Sequence, residues 1–181
     1  MTGIVITTHV IDAAARAALQ RLGLALRDSA PLMRAIGIGV RDTTQGRMDR
    51  GLSPDLQKWA PLNPDYAFVK KGAGILRERG MRGGLQGSLT FRAASSSVTI
   101  GTNAVHAAVH QFGATIKPKA SGSLVFRLGG NRVVFARSVT IPARPYLGIG
   151  PDETEVIEEQ VVLHLDRAAG SGRSSGRALR R

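Results

Sequence analysis

The sequence predicts an α+β fold: N-terminal helices, a long Gly/Pro loop, a curved antiparallel β-sheet or small barrel, and an acidic C-terminal helix. Three observations carry this expectation. Apolar residues recur at helical spacing near the N-terminus, short Val/Ile/Leu/Phe runs separated by glycines occupy the second half, and an amphipathic stretch rich in acids comes near the end. The 181 residues suit one domain over 1–169 followed by a basic arm, 170–181. Hydrophobic residues make up 43% of the chain but aromatics only 4%, so the core must rest on Leu, Ile, Val and Ala.

Taken in order, residues 3–7 read as a short strand. Beyond Asp12, Ala15, Leu22 and Ile36 recur at multiples of seven, as do Leu19, Leu26, Met33 and Val40, which predicts an apolar stripe facing the core. Arg16, Arg21, Arg27 and Arg34 lie largely off it. Pro31 interrupts the pattern and Ser29 is a suitable N-cap, giving helices at about 10–28 and 30–48, or one kinked helix. Residues 51–84, punctuated by Gly51, Pro54, Pro61, Pro64, Gly72, Gly74, Gly80 and Gly83, form an extended loop expected to pack poorly on its own subunit, with a short helix near Pro64–Lys71. The only Trp, Trp59, is a lid on the core or an interface anchor, the lid being favoured.

Leu85, Leu89 and Phe91 form one apolar set, and Val98-Thr99-Ile100 reads as a hairpin partner. Residues 103–112 predict a short helix ended by Gly113, with Phe112 buried. Residues 124–128 and 132–136, joined by Gly129-Gly130-Asn131, are a strong hairpin signal, and Val139–Ile141 is a strand stopped by Pro142. Residues 152–167 predict the final helix. Val156, Ile157, Val161, Val162 and Leu165 give it an apolar face, and its first turns carry acids that suit the helix dipole. The Gly/Ser/Arg composition beyond Ala169 supports no core and predicts a flexible arm in isolation.

Charge is segregated. The net is +12, yet residues 83–150 contain seven Lys or Arg and no acid, residues 151–166 contain six acids and no Lys or Arg, and residues 167–181 contain five Arg and no acid. Such blocks attract nucleic acid or an acidic partner, and the acidic block of one copy can face the basic block of the next. Zero Cys removes disulfides and thiolate metal sites. No stretch reads as a membrane span or signal peptide. No phosphate-binding glycine loop or nucleophile elbow is present. His106 and His110 share helical spacing but lack a third metal ligand. No cofactor is expected, and an enzyme is the weakest reading.

Several segments resemble, in order and spacing over about residues 50–168, the phage virion morphogenesis family, the tail-completion proteins of Mu-like and P2-like bacteriophages. They are Ser53–Pro64 with Lys58-Trp59, Ile75–Gly80, Leu85–Leu89, Val98–Thr102, His106–Gly113 and Ile141–Gly148. His-Gln-Phe-Gly and Ile-Pro-Ala-Arg-Pro are the most specific. The chain departs from the pattern at Asp55-Leu56-Gln57, where the family often has Asp-Gly, and at His106-Ala107, where Tyr-Ala is common. The Arg-rich tail lies outside it.

The resemblance implies a virion structural protein that completes or terminates the tail or joins it to the head at the neck. It implies a homohexameric ring in contact with the tail tube and head-connector or neck proteins, assembled in the host cytoplasm. Transient contact with DNA in the lumen follows from such a position. The alternative is a basic DNA-binding accessory protein without sequence preference. Interface candidates are Lys58, Trp59, Lys70, Lys71, Arg77, Arg79 and Arg82 in the loop, His110, Gln111 and Arg144 in the specific segments, Glu155, Glu158 and Glu159 in the acidic helix, and Arg173 and Arg177 in the arm. Phe112, Gly113, Ile141, Pro142 and Pro145 are expected to be structural.

Overall fold

The computed structural model describes residues 13–70, 72, 74–77, 84–120, 122–128 and 132–170. The strand read at 3–7, the turn at 129–131, Lys71, Arg79, Arg82, Arg173, Arg177 and the arm beyond Gly170 lie outside the described residues.

The fold is α+β, opening with two helices, α1 (Ala13–Arg27) and α2 (Ala30–Arg50). Pro31 sits in the first turn of α2, where a missing N–H costs nothing. Ser29 stands at the cap position but does not cap. Its hydroxyl donates to the Ser95 carbonyl at 2.5 Å, while Asp28 Oδ1 accepts from the Ala30 N–H at 3.2 Å. The break also changes which residues share a face. Ile36 and Val40 are buried on α2, but Leu19 and Leu26 of α1 are 67% and 69% exposed. A repeat of seven carried across a helix break is no longer one stripe. The half-buried side of α1 is instead Ala18, Leu22 and Ala25.

Helix α2 is the spine. The hairpin of β1 (Leu89–Ala93) and β2 (Val98–Thr102) packs on one side, and the long C-terminal helix, α6 (Pro151–Ala169), packs on the other. Gly37 and Gly39 make both approaches close. A Cβ at Gly37 would overlap the Phe91 ring, and one at Gly39 would meet Val156 Cγ1 at 2.5 Å. Residues two apart on a helix point in nearly opposite directions, so one glycine serves each neighbour. Arg21 of α1 donates to the carbonyls of Ala168 and Ala169 at 3.3 and 3.0 Å, placing a cation at the negative end of α6. On α6, Val156, Ile157, Val161 and Leu165 are half-buried as expected, but Val162 is exposed on the outer face.

The core gathers Met48 from α2, Trp59, Leu85 from the single turn α4 (Gly84–Gly87), Leu89 from β1 and Tyr146. The first part of the long loop therefore packs within its own subunit, against expectation. Ser53 and Pro54 are buried, the Trp59 N–H donates to the Gly51 carbonyl at 2.9 Å, and Leu52 and Lys58 form a β-bridge. Here glycine and proline make a tight turn that folds the tryptophan inward. Farther along the loop, α3 (Pro64–Val69) is capped by Asn63 Oδ1 and has no buried residue; Phe68 is 83% exposed.

Among the described residues the strands pair antiparallel throughout, in three two-stranded ladders that do not close into a barrel. Between α5 (Ala107–Phe112) and α6, β3 (Ala114–Ile116) pairs with β6 (Val139–Ile141), and β4 (Leu124–Leu128) pairs with β5 (Arg132–Ala136). The nesting makes the described residues between 114 and 141 one interrupted ribbon that leaves the body at Gly113 and returns at Pro142. Its root ladder has only three residues a side.

Candidate functional site

The two most specific segments, 106–113 and 141–148, meet at the root of the ribbon. Gln111 accepts from the backbone N–H groups of Tyr146 and Leu147, both at 3.0 Å, and donates to the Leu147 carbonyl at 2.9 Å. The Arg144 N–H donates to the His110 carbonyl at 2.7 Å. Its guanidinium donates to the carbonyls of Ala60 and Pro61, each at 2.9 Å, and Trp59 Nε1 donates to the Pro145 carbonyl at 2.7 Å. One cluster thus binds the Lys-Trp segment, the His-Gln-Phe-Gly segment and the Ile-Pro-Ala-Arg-Pro segment to one another.

Gly113 has φ +73°, a left-handed value that favours glycine, and a Cβ there would approach Ala143 N at 2.9 Å and the Ile141 carbonyl oxygen at 3.1 Å. It ends α5, as the sequence implied, and lets the two segments touch. Ile141 is half-buried in the root ladder, Pro145 is half-buried beside Trp59, and Pro142 is exposed.

This placement corrects two interface candidates and leaves Trp59 as the lid on the core that the sequence favoured. Trp59, Gln111 and Arg144 bind their own chain; Trp59 and Arg144 are buried, and Gln111 is half-buried. Irregular backbone leaves carbonyls and N–H groups open: Trp59 and Gln111 supply partners to the 142–150 segment, and Arg144 supplies them to the carbonyls of Ala60 and Pro61. Phe112 corrects a third expectation, being 78% exposed. Helix α5 has six residues, and its inward positions are taken by Ala107 and Gln111, one turn apart. Phe112 lies the next step around and borders a shallow groove with Ala108 and Leu147.

Beneath the root lies an ion pair that sequence reasoning missed. Arg47 of α2 and Glu153 of α6 are both 0% exposed and paired. Arg47 also donates to the Tyr146 carbonyl at 2.7 Å, and the second carboxylate oxygen of Glu153 accepts from the Gly150 N–H at 3.0 Å. The signal was present: stepping seven from Val40 lands on Arg47, inside the apolar series. Glu153 holds the third position of its helix, from which a carboxylate reaches back to the capping residue. An outer pair, Arg50 with Asp152 at 2.5 Å, continues the same α2–α6 seam.

Burial, the nearby His106 and Arg144 all lower the pKa of His110, burial most. The His106 and His110 rings meet edge to face at 5.5 Å. Burial raises the Tyr146 phenol and lowers Arg144, the latter against an upward pull from Tyr66. Among the described residues no three His, Asp or Glu side chains gather as a metal would require. No helix there is long and apolar enough to cross a membrane.

The charged candidates divide. Lys58, Glu155, Glu158 and Glu159 are exposed. Arg77 pairs with Asp49 at 2.9 Å, and Lys70 donates to the carbonyls of Gly72 and Arg77. The exposed surface also includes a feature not singled out from the sequence: the outer face of the β4–β5 hairpin. Val125 and Phe135 are cross-strand partners there, followed by Arg127 opposite Val133. All four are exposed, Phe135 to 69%.

A tightly fastened root presenting an open, partly apolar ribbon is the build of an assembly subunit. Residues 10–166 match the phage virion morphogenesis family, and the chain belongs to it. It is similar to the Mu-like prophage FluMu G protein 2 of Haemophilus influenzae, with 29% identity over 143 residues, 78% of this chain and 83% of the relative. FluMu G protein 1 of the same organism is 27% identical over 135 residues, 72% of this chain and 75% of the relative. The putative capsid assembly protein G of Escherichia phage Mu is 28% identical over 142 residues, 73% and 76% of the two chains. No solved structure matches. The protein thus has a role in phage virion assembly.

Proposed function

We propose that the chain is a structural subunit that completes or terminates the phage tail, or joins it to the head at the neck, as one copy of a six-fold ring. One observation carries the reading: a ribbon with exposed apolar residues stands on a root whose side chains are committed to their own subunit. Apolar side chains left in water on both a hairpin and a helix are a cost that a neighbouring protein surface removes. Exposed Leu19, Leu24 and Leu26 on α1 and Phe68 on α3 add further surface of this kind. The partners on this reading are further copies of the chain, the tail tube, and head-connector or neck proteins. A ring follows when the contacting patches differ and the rotation between copies closes.

The test is a phage lacking this protein, with its particles sorted by electron microscopy and complemented by the full chain. Unjoined heads and tails, or tails of uncontrolled length, are expected, together with a ring of density at the tail end in complemented virions. Density within the capsid shell instead would favour the head-assembly role in the name of the phage Mu relative. Normal particles and normal titre without the protein would overturn the reading. The DNA-binding alternative predicts duplex affinity that falls steeply with salt.

A further inference from the structure

We infer that the ribbon of one copy, residues 114–141, is the arm that recognises the outer face of α6 on an adjacent copy. The inference rests on the ring reading and names the two surfaces that meet.

Within its own subunit the β4–β5 hairpin touches chiefly α3, where Arg132 pairs with Asp65, and makes only slight contact with the other elements. A two-stranded hairpin is marginal in water and needs a cover. Its outer face has an apolar centre of Val125, Val133 and Phe135. The ribbon carries Lys117, Lys119, Arg127, Arg132 and Arg137 and no acid.

Helix α6 offers the reverse. Glu155, Glu158 and Glu159 are exposed around Val162 and Leu163, at spacings that put all five on one helix face. The other acids of the first turn are already used, Glu153 by Arg47 and Asp152 by Arg50. The outer face is therefore the part of the acidic block open to a partner. Each surface has an apolar centre and a charged border, and the borders have opposite sign. Duplex DNA would meet the Arg and Lys side chains equally well but has no use for an exposed Phe–Val pair. A second copy satisfies both components. The patches differ, so the contact is head-to-tail, as a ring requires.

A charge swap tests this. One variant carries Lys119→Glu with Arg137→Glu, and a second carries Glu158→Arg with Glu159→Arg. The positions are exposed, so each variant should unfold at the wild-type temperature; any that does not is replaced by Phe135→Ser on the arm or Val162→Ser on the helix. Each reversed variant alone should associate at least about 100-fold more weakly than wild type, by sedimentation alone and on purified tail tubes. The chain carrying both reversals should regain assembly. Single variants that assemble like wild type, or a double variant that gains nothing, would overturn the arm while leaving the ring. A wild-type chain that forms no higher species, free or on tubes, would overturn the ring and the arm together. Loss confined to duplex DNA binding would assign the arm to nucleic acid and overturn the inference.

Discussion

The root of the ribbon and the ribbon itself differ in where their side chains find partners. At the root, Trp59, Gln111 and Arg144 bond to backbone groups of their own chain, and Arg47 and Glu153 are closed off from water. Farther out along the ribbon, Val125 and Phe135 face each other across a ladder and remain open to solvent. The comparison separates two tasks that a family resemblance merges. The most specific segments are where the fold is fastened, and the surface they present lies between them. A motif residue can matter to assembly by aiming a ribbon that it never touches a partner through.

Loosening the root should cost the protein most. Glu153→Ala leaves Arg47 charged, buried and unpaired, and should cost about 3–5 kcal/mol in urea unfolding followed by Trp59 fluorescence. Adding Arg47→Met should recover much of that loss, because the uncompensated charge is then gone. A cost under about 1 kcal/mol for the single change would show that the α2–α6 seam is held by packing alone.

Gly113→Ala is the next test and acts at the point where the ribbon leaves the body. It forces a Cβ into a left-handed backbone and to within 2.9 Å of Ala143 N, so a loss of about 1–3 kcal/mol is expected. Gly46→Ala is its control: a helical glycine in α2 with nothing within 4 Å of the added carbon, it should gain roughly 0.5–1 kcal/mol. Equal effects at the two glycines, read from thermal midpoints, would mean that the root geometry at Gly113 carries no special constraint.

Much of the chain's layout was legible because it depends on local chemistry. The α1–α2 break, α3, the two hairpins, α5 ending at Gly113 and the long α6 follow from proline, glycine and apolar spacing, and their boundaries moved by only a few residues. What pairs at a distance was not legible. The spacing from Val40 puts Arg47 in the apolar series, but only α6 brings its partner Glu153 over it. Gln111 and Arg144 look like contact residues until the 142–150 segment folds back onto α5 and carries Arg144 to the carbonyls of Ala60 and Pro61. Between these extremes stands Leu56, with φ +59°, at the place where the resemblance implied a glycine. The departure from the pattern marked a left-handed turn that only the backbone could reveal.

The smallest expected effect tests the boundary between the two regions. Phe112 belongs by sequence to the root, inside the His-Gln-Phe-Gly segment, but by exposure it belongs with the ribbon. Phe112→Ala removes no buried contact from an exposed ring and should change the stability of the isolated subunit by less than about 1 kcal/mol. A buried phenylalanine would instead cost about 3–5 kcal/mol. The two outcomes are far enough apart for urea unfolding to separate. Assembly supplies the second axis. A neutral effect on folding with a loss of higher-order species would place Phe112 among the presented residues, extending the contact surface from the ribbon onto α5. A neutral effect on both would leave the groove beside Ala108 and Leu147 as ordinary surface. A cost near that of a core residue would put Phe112 back in the root, and the division between fastening and presenting would then run along the motif's edge at Gly113.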